Sequence, residues 1–309
     1  MLRVYRFNDG LIEPSTSGHS EANALICIEE PDDSDYAVMS QRYGIPDNFI
    51  ESAADFDERP RLECDHNWRM TILRVPVPDN NGGVPYRTVP IGIITDGDTI
   101  FTLCYQHTNL MEDFIDHSHK RCNRVSCYPD LLLRLLCSTT YWFQRYLKTM
   151  YNDVMILEKG LEKSIRNEEL IRLMRLQQSL VYFNTAIKGN EAVVARIEHL
   201  YADSFDPDLA EDAQIEITQA DNTVNIYMEI LAGTMDAFAS IISNNVNGIM
   251  KRMTAISIVL MVPTLVASFY GMNVDISLAG HSPSFWVIVL ASLILTFGIF
   301  TLLKKASWL

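Results

Sequence analysis

No lysine or arginine lies between Arg196 and Lys251, and none lies between Arg252 and Lys304. The chain of 309 residues has a formal net charge of −14. Phosphate backbones need a basic face, so nucleic acid is not expected as a partner. An acidic soluble part attracts cations instead. Cysteine is scarce: Cys27, Cys64, Cys104, Cys122, Cys127 and Cys137, with no Cys-x-x-Cys pair and none beyond residue 137. The opening "MLRVYRFNDG" lacks the apolar core of a secretory signal. The large amino-terminal part is therefore expected in the cytosol, with reduced thiols. There is no nucleotide loop, catalytic-triad pattern or metalloprotease motif, so no enzyme is expected. Internal repeats and low-complexity runs are also missing.

What the sequence does have is two long apolar runs near its carboxyl end. "MTAISIVLMVPTLVASFY" (253–270) and "FWVIVLASLILTFGIFTLL" (285–303) each match the roughly 20 apolar residues that cross a bilayer as a helix. Trp286 sits at one end of the second run, like an interfacial aromatic. Lys251 and Arg252 precede the first span, Lys304 and Lys305 follow the second, and the loop between has neither residue type. The positive-inside rule then puts both termini in the cytoplasm and residues 271–284 outside. The expected location is the inner or plasma membrane.

The first 125 residues read as a mixed α/β domain. "LRVYRF", "NALICIEE" and "WRMTILRVPV" look like strands. "VPIGIITDGDTIFTLCY" reads as two strands joined through Asp96-Gly97, a hairpin signal. Residues 126–208 read as helical, with apolar steps of three and four over 130–165 and 168–188. Asn190 is expected to cap a short helix ending near His199, and Pro207 to break the pattern.

From residue 209 no proline appears until Pro263. Ile217, Ala220, Val224, Met228, Leu231, Met235, Phe238, Ile242 and Val246 form one helical stripe. A helix over 209–270 would be on the order of 90 Å long. Such a rod is expected to pack against copies of itself; a break at Gly248 is the alternative. Its amino-terminal part is acidic, with Asp208, Glu211, Asp212 and Glu216 among the carboxylates. Rods side by side would repel unless cations sat between them, and hard oxygen ligands suit Mg²⁺ or Ca²⁺.

Within the first span, Asn247, Met250, Ser257, Met261 and Thr264 fall near one helical face, with Met253 or Thr254 filling the gap. Polar side chains in a span need partners or water. Ordinary helix–helix contact would satisfy them. So would a pore lined by symmetric copies of this face. The residues alone leave both open.

Tyr270-Gly271-Met272-Asn273 directly after a first span, with a second span soon following and Lys-Lys closing it, resembles the CorA family of magnesium transporters. "DERPRLE" (57–63) before "WRMTILRVP", and "NNVNGIMKRMT" at the start of the first span, extend the resemblance over essentially the whole chain. It implies a homopentameric funnel: an α+β cytosolic domain, a long stalk helix and two carboxyl-terminal transmembrane helices. It also implies passive Mg²⁺ influx, with Co²⁺ and Ni²⁺ accepted and no organic cofactor. Asn273 would form the outer selectivity ring beside Tyr270, Gly271 and Met272, and Asn247, Met250, Met253, Ser257, Met261 and Thr264 would line the pore. Asp212 would belong to an intersubunit regulatory Mg²⁺ site, with Asp208, Glu211 and Glu216 nearby and Asp96 or Asp98 as candidate partner acids. Cytosolic Mg²⁺ would then hold the stalk closed. Gly271 is expected to permit the tight turn ending the helix. Two departures stand out. The outer loop has only Asp275 and His281 to gather cations, and Ser257 occupies a position more often small and apolar.

Two other functions fit the same layout. One is a Zn²⁺ transporter of the same superfamily, for which "DHSHKRC" (116–122) with Cys127 could supply soft ligands. The other is a membrane-anchored interaction or sensor protein that conducts nothing.

Overall fold

The computed structural model describes residues 2–15, 23–79, 83–121, 124–163, 167–201, 204–272 and 284–308. It divides into two units, residues 1–234 and 235–309.

The first unit is built on a seven-stranded sheet: β1 (Leu2–Asn8), β2 (Leu11–Pro14), β3 (Ala24–Glu29), β4 (Arg61–Asp65), β5 (Trp68–Pro78), β6 (Tyr86–Thr95) and β7 (Ile100–Cys104). The order is β2-β1-β3-β7-β6-β5-β4. Only β3 and β7 pair in parallel; all other neighbours are antiparallel. The Asp96-Gly97 signal is realised as the β6–β7 hairpin. The Asp96 carboxylate accepts from the Asp98 and Thr99 amides at 2.9 and 2.8 Å, and Gly97 takes a φ of +105°.

Short helices α1 (Asp33–Ala37) and α2 (Asp47–Ala54), with a π-turn at Val38–Arg42 between them, are not legible as periodic segments. Phe49 and Ile50 of α2 are fully buried against Ile72, Ile94 and Phe101 of the sheet. Gly92 on β6 lets α2 approach closely: a Cβ there would lie 3.1 Å from that of Ala53.

Three longer helices follow, α3 (Leu110–Arg121), α4 (Tyr128–Lys163) and α5 (Asn167–Tyr201). α4 and α5 pack on each other and on β5, with Phe143 and Phe183 meeting edge to face at 4.9 Å. The expected cap at Asn190 is not what forms: α5 runs straight through it. Asn190 is 1% exposed. Its amide accepts from the Arg74 backbone N–H at 2.9 Å and donates to the Arg74 carbonyl at 2.8 Å. The reason lies in the sheet. β4 pairs with β5 only as far as Ile72, so at Arg74 the edge of β5 has no strand beside it. The Asn190 amide reproduces the missing strand's hydrogen bonds. Ser179 does the same for Tyr86, accepting from its N–H at 3.1 Å and donating to its carbonyl at 2.7 Å.

The long helix is α6 (Pro207–Tyr270), uninterrupted at Gly248 and containing Pro263. Pro207 starts it rather than merely breaking what precedes, as proline suits a first helical position. Asp206 accepts from the Asp208 amide at 3.1 Å. Within the first unit the predicted stripe is buried at Ile217, Ala220, Val224 and Leu231.

The second unit holds the rest of α6 and α7 (Ser284–Lys305). Both helices are long and apolar enough to cross a membrane, and almost none of either apolar window is buried.

Candidate functional site

The covered and uncovered faces of the α6 span differ in composition. Gly248, Ile258, Val259, Val262, Pro263 and Val266 are partly covered, and Ala255 completely. At 100° per residue these fall on one side. Met250, Met253, Ser257, Met261 and Thr264 fall on the other side and Asn247 at the border between the two, and all six are exposed. On α7, Ser292 is the one buried residue among those described. Small side chains at the most covered points, Ala255 and Ser292, are what close helix packing in lipid selects. The polar and Met-rich side is therefore not the face that α6 covers within its own chain.

Ser268 lies on the same exposed side, one turn beyond Thr264. Sequence reasoning passed over it, although the four-residue step from Thr264 was there to be counted.

Three hydroxyls of the span are satisfied by their own helix. Thr254 donates to the Met250 carbonyl at 2.8 Å, Ser257 to Met253 at 2.9 Å and Thr264 to Leu260 at 3.1 Å. Pro263 has no N–H for the Val259 carbonyl. A proline is tolerated at this depth when neighbouring hydroxyls and local adjustments help satisfy the backbone.

The helix ends where the sequence signature begins. The Gly271 N–H still donates to the Ala267 carbonyl at 2.9 Å, and the Met272 N–H reaches Phe269 at 3.5 Å. Tyr270 and Met272 are exposed. Gly271 is not among the residues of positive φ, so the expected turn argument does not apply. The constraint is steric: a Cβ at Gly271 would sit 3.1 Å from the Ala267 carbonyl oxygen. Asn273 lies outside the described residues.

In the first unit, Asp208, Glu211, Asp212 and Glu216 are all exposed. Asp212 and Glu216 line one open cleft with Asp113 and His117 of α3 and Arg134, Cys137 and Gln144 of α4. Gln144 donates to Glu216 at 3.1 Å, and Arg134 is held by Asp130 at 2.7 Å. Burial, then the carboxylates of Glu216 and Asp212, push the Cys137 thiol up to about 11. Asp113 and His117 were not foreseen beside Asp212. Asp96 and Asp98 do not line this cleft; the Asp96 carboxylate is engaged by its own turn. Of the soft-metal segment 116–122, Cys122 lies outside the described residues. His117 Nδ1 lies 2.8 Å from the Asp113 carbonyl of its own helix. Among the described residues no three or more His, Cys, Asp or Glu side chains are set to hold an ion.

Residues 24–305 match the family described as CorA-like Mg²⁺ transporter protein. The chain belongs to that family. The cobalt/magnesium transport protein CorA of Methanocaldococcus jannaschii is 23% identical over 97% of this chain and 96% of its own length. The complete structure of the CorA magnesium transporter from the same organism superposes with a TM-score of 0.86, covering 100% of this chain and 99% of that one at 20% identity. The cytoplasmic domain of ZntB from Vibrio parahaemolyticus covers 79% of this chain and 97% of its own with a TM-score of 0.60 at 14% identity. The CorA fold thus accounts for the whole chain: an α+β domain, a long helix and two carboxyl-terminal apolar helices. As a CorA-family member it is a membrane protein, with α7 and the end of α6 as its spans.

Proposed function

We propose that this chain assembles as a homopentamer and conducts Mg²⁺ into the cytosol through a pore lined by α6, moving ions rather than catalysing a reaction. One observation carries the reading. The face bearing Met250, Met253, Ser257, Met261 and Thr264, with Asn247 at its edge, lies away from the covered face of the same helix, and it leads to Tyr270, Gly271 and Met272. The amide of Asn247 and the free lone pairs of Ser257 and Thr264 are met better by water than by hydrocarbon. Copies arranged around an axis would turn this face toward water. The relative named a cobalt/magnesium transport protein favours Mg²⁺ and Co²⁺ as cargo, and Ni²⁺ is a similar hard-to-borderline divalent ion. In this reading both termini are cytoplasmic, Asn273 carbonyls accept hydrogen bonds from the hydrated ion at the outer mouth, and membrane potential drives entry. Mg²⁺ sheds water reluctantly, which suits a ring that touches the hydration shell. The test is potential-driven Mg²⁺ flux into proteoliposomes. Asn273→Ala is expected to abolish it or remove its preference for Mg²⁺ over Zn²⁺; unchanged flux and preference would remove Asn273 from selectivity, and a wild-type chain without flux would leave a non-conducting anchor as the better reading.

In the same reading Asp212 and Glu216, exposed and one helical turn apart, take a regulatory Mg²⁺ together with an acid from a second copy. A ligand set from one chain is incomplete among the described residues. Binding that favours the closed arrangement shifts the population toward it. Asp212→Ala channels are expected to need several-fold more internal Mg²⁺ for half-inhibition. Full inhibition at the wild-type concentration would remove Asp212 from gating.

A further inference from the structure

We propose that Ser257 is the hydration step that keeps the apolar middle of the α6 face passable, and that it presents oxygen lone pairs only. This rests on the reading of α6 as the pore wall. Met253 and Met261 flank Ser257 on the exposed face, each four residues away, with Met250 a further turn below. At 1.5 Å per residue the stretch from Met250 to Met261 spans about 16 Å. Lined by thioethers alone, such a stretch would expel water, and apolar constrictions gate by dewetting. Ser257 interrupts it midway between Met253 and Met261, and Thr254 adds a hydroxyl beside Met253.

The direction of its hydrogen bond gives Ser257 a sign. The Ser257 hydroxyl donates to the Met253 carbonyl at 2.9 Å. Its one proton is engaged by the helix, and its two lone pairs are left for the exposed side. Water around a cation points its hydrogens outward, so an acceptor meets that shell favourably. Water around an anion points its oxygens outward and finds no donor here. Thr254 below and Thr264 above have the same polarity, donating to Met250 and Leu260. These three hydroxyls therefore form an acceptor-only series, and Ser257 is the member midway between the Met253 and Met261 thioethers, with Thr254 directly after Met253. Since Mg²⁺ keeps several waters, the step acts on the ion's shell rather than by direct coordination.

The experiment uses the full chain in proteoliposomes with an imposed potential and a Mg²⁺-sensitive dye inside. Ser257→Val, which keeps bulk and removes the hydroxyl, is expected to lower initial flux by about tenfold or more. Ser257→Thr, which can make the same backbone bond, is expected to recover most of that loss. Ser257→Cys, with the native cysteines replaced, is expected to react with a charged, membrane-impermeant thiosulfonate and to lose flux once modified. That arm reads water access whether or not the valine variant assembles. Wild-type flux with undiminished Ser257→Val flux, or a Ser257→Cys thiol protected from the reagent, overturns this inference and leaves the pore reading standing. A wild-type chain that carries no Mg²⁺ overturns both.

Discussion

Gly271→Val is expected to reduce Mg²⁺ flux by roughly 5- to 100-fold, from an overpacking cost of about 1–3 kcal/mol falling on the helix end beside Met272 and Asn273. The reason is a close approach. An added Cβ meets the Ala267 carbonyl oxygen at 3.1 Å and the Ser268 carbonyl oxygen at 3.7 Å. The first of these is the acceptor for the Gly271 N–H at 2.9 Å. The carbonyl must give by a few tenths of an ångström, and the last turn moves with it. Gly271→Ala asks for the same shift without the γ-methyl groups, so its loss should be smaller. Because φ is not left-handed here, a D-residue or asparagine preference is not expected. The measurement is flux of both variants beside their thermal midpoints. Valine flux within twofold of wild type would show that the turn is not constrained by this contact.

Asn190→Ala is expected to destabilise the first unit by roughly 2–5 kcal/mol, because it orphans both backbone groups of Arg74 at once and each costs about 1–3 kcal/mol when left buried and unpaired. The Asn190 side chain has no substitute in the sheet: β4 has already ended its pairing at Ile72. Neighbouring Gly189 faces Pro60, whose Cγ would lie 2.7 Å from an added Cβ. The helix is therefore pinned against the segment that leads into β4, and it cannot slide to offer another donor. Thermal unfolding of the full chain in detergent, followed by circular dichroism, should show the first transition lowered by about 5–15 °C. Lys188→Ala, one turn from Asn184 and exposed, should leave it in place. A shift of less than about 2 °C for Asn190→Ala would mean that water replaces the amide.

Much of the architecture was legible because its signals are local or periodic. β1, β3, β5, β6 and β7 come from β-rich runs, their hairpin from Asp-Gly, and α6 and α7 from uninterrupted apolar runs flanked by basic pairs. β2 and β4 are short edge strands with little burial, and α1 and α2 are too short to show a period. Asn190 misled for a physical reason. An amide on an apolar helix face looks like a cap when its partner is a strand edge 116 residues away in sequence. On the candidate site, the spacing alone showed that Met250, Ser257, Met261 and Thr264 share a side of α6. The steric role of Gly271 was not, since a close carbonyl leaves no mark on the sequence. The grouping of Asp113 and His117 with Asp212 depends on where α3 lies, which no pattern in residues 110–121 announces.

Pro263 has a mechanical consequence. A helix is stiff because each turn is tied to the next by three or four hydrogen bonds, and the missing tie to the Val259 carbonyl makes one turn more compliant than its neighbours. The segment from Thr264 to Tyr270 is then a short lever, carrying Gly271 and Met272 at its tip. It can tilt while the bonds of Ser257 and Thr254 below it stay made. In the proposed pore, bending at this joint would widen or narrow the mouth without turning the wall beneath, so the two ends of the span would respond to force separately.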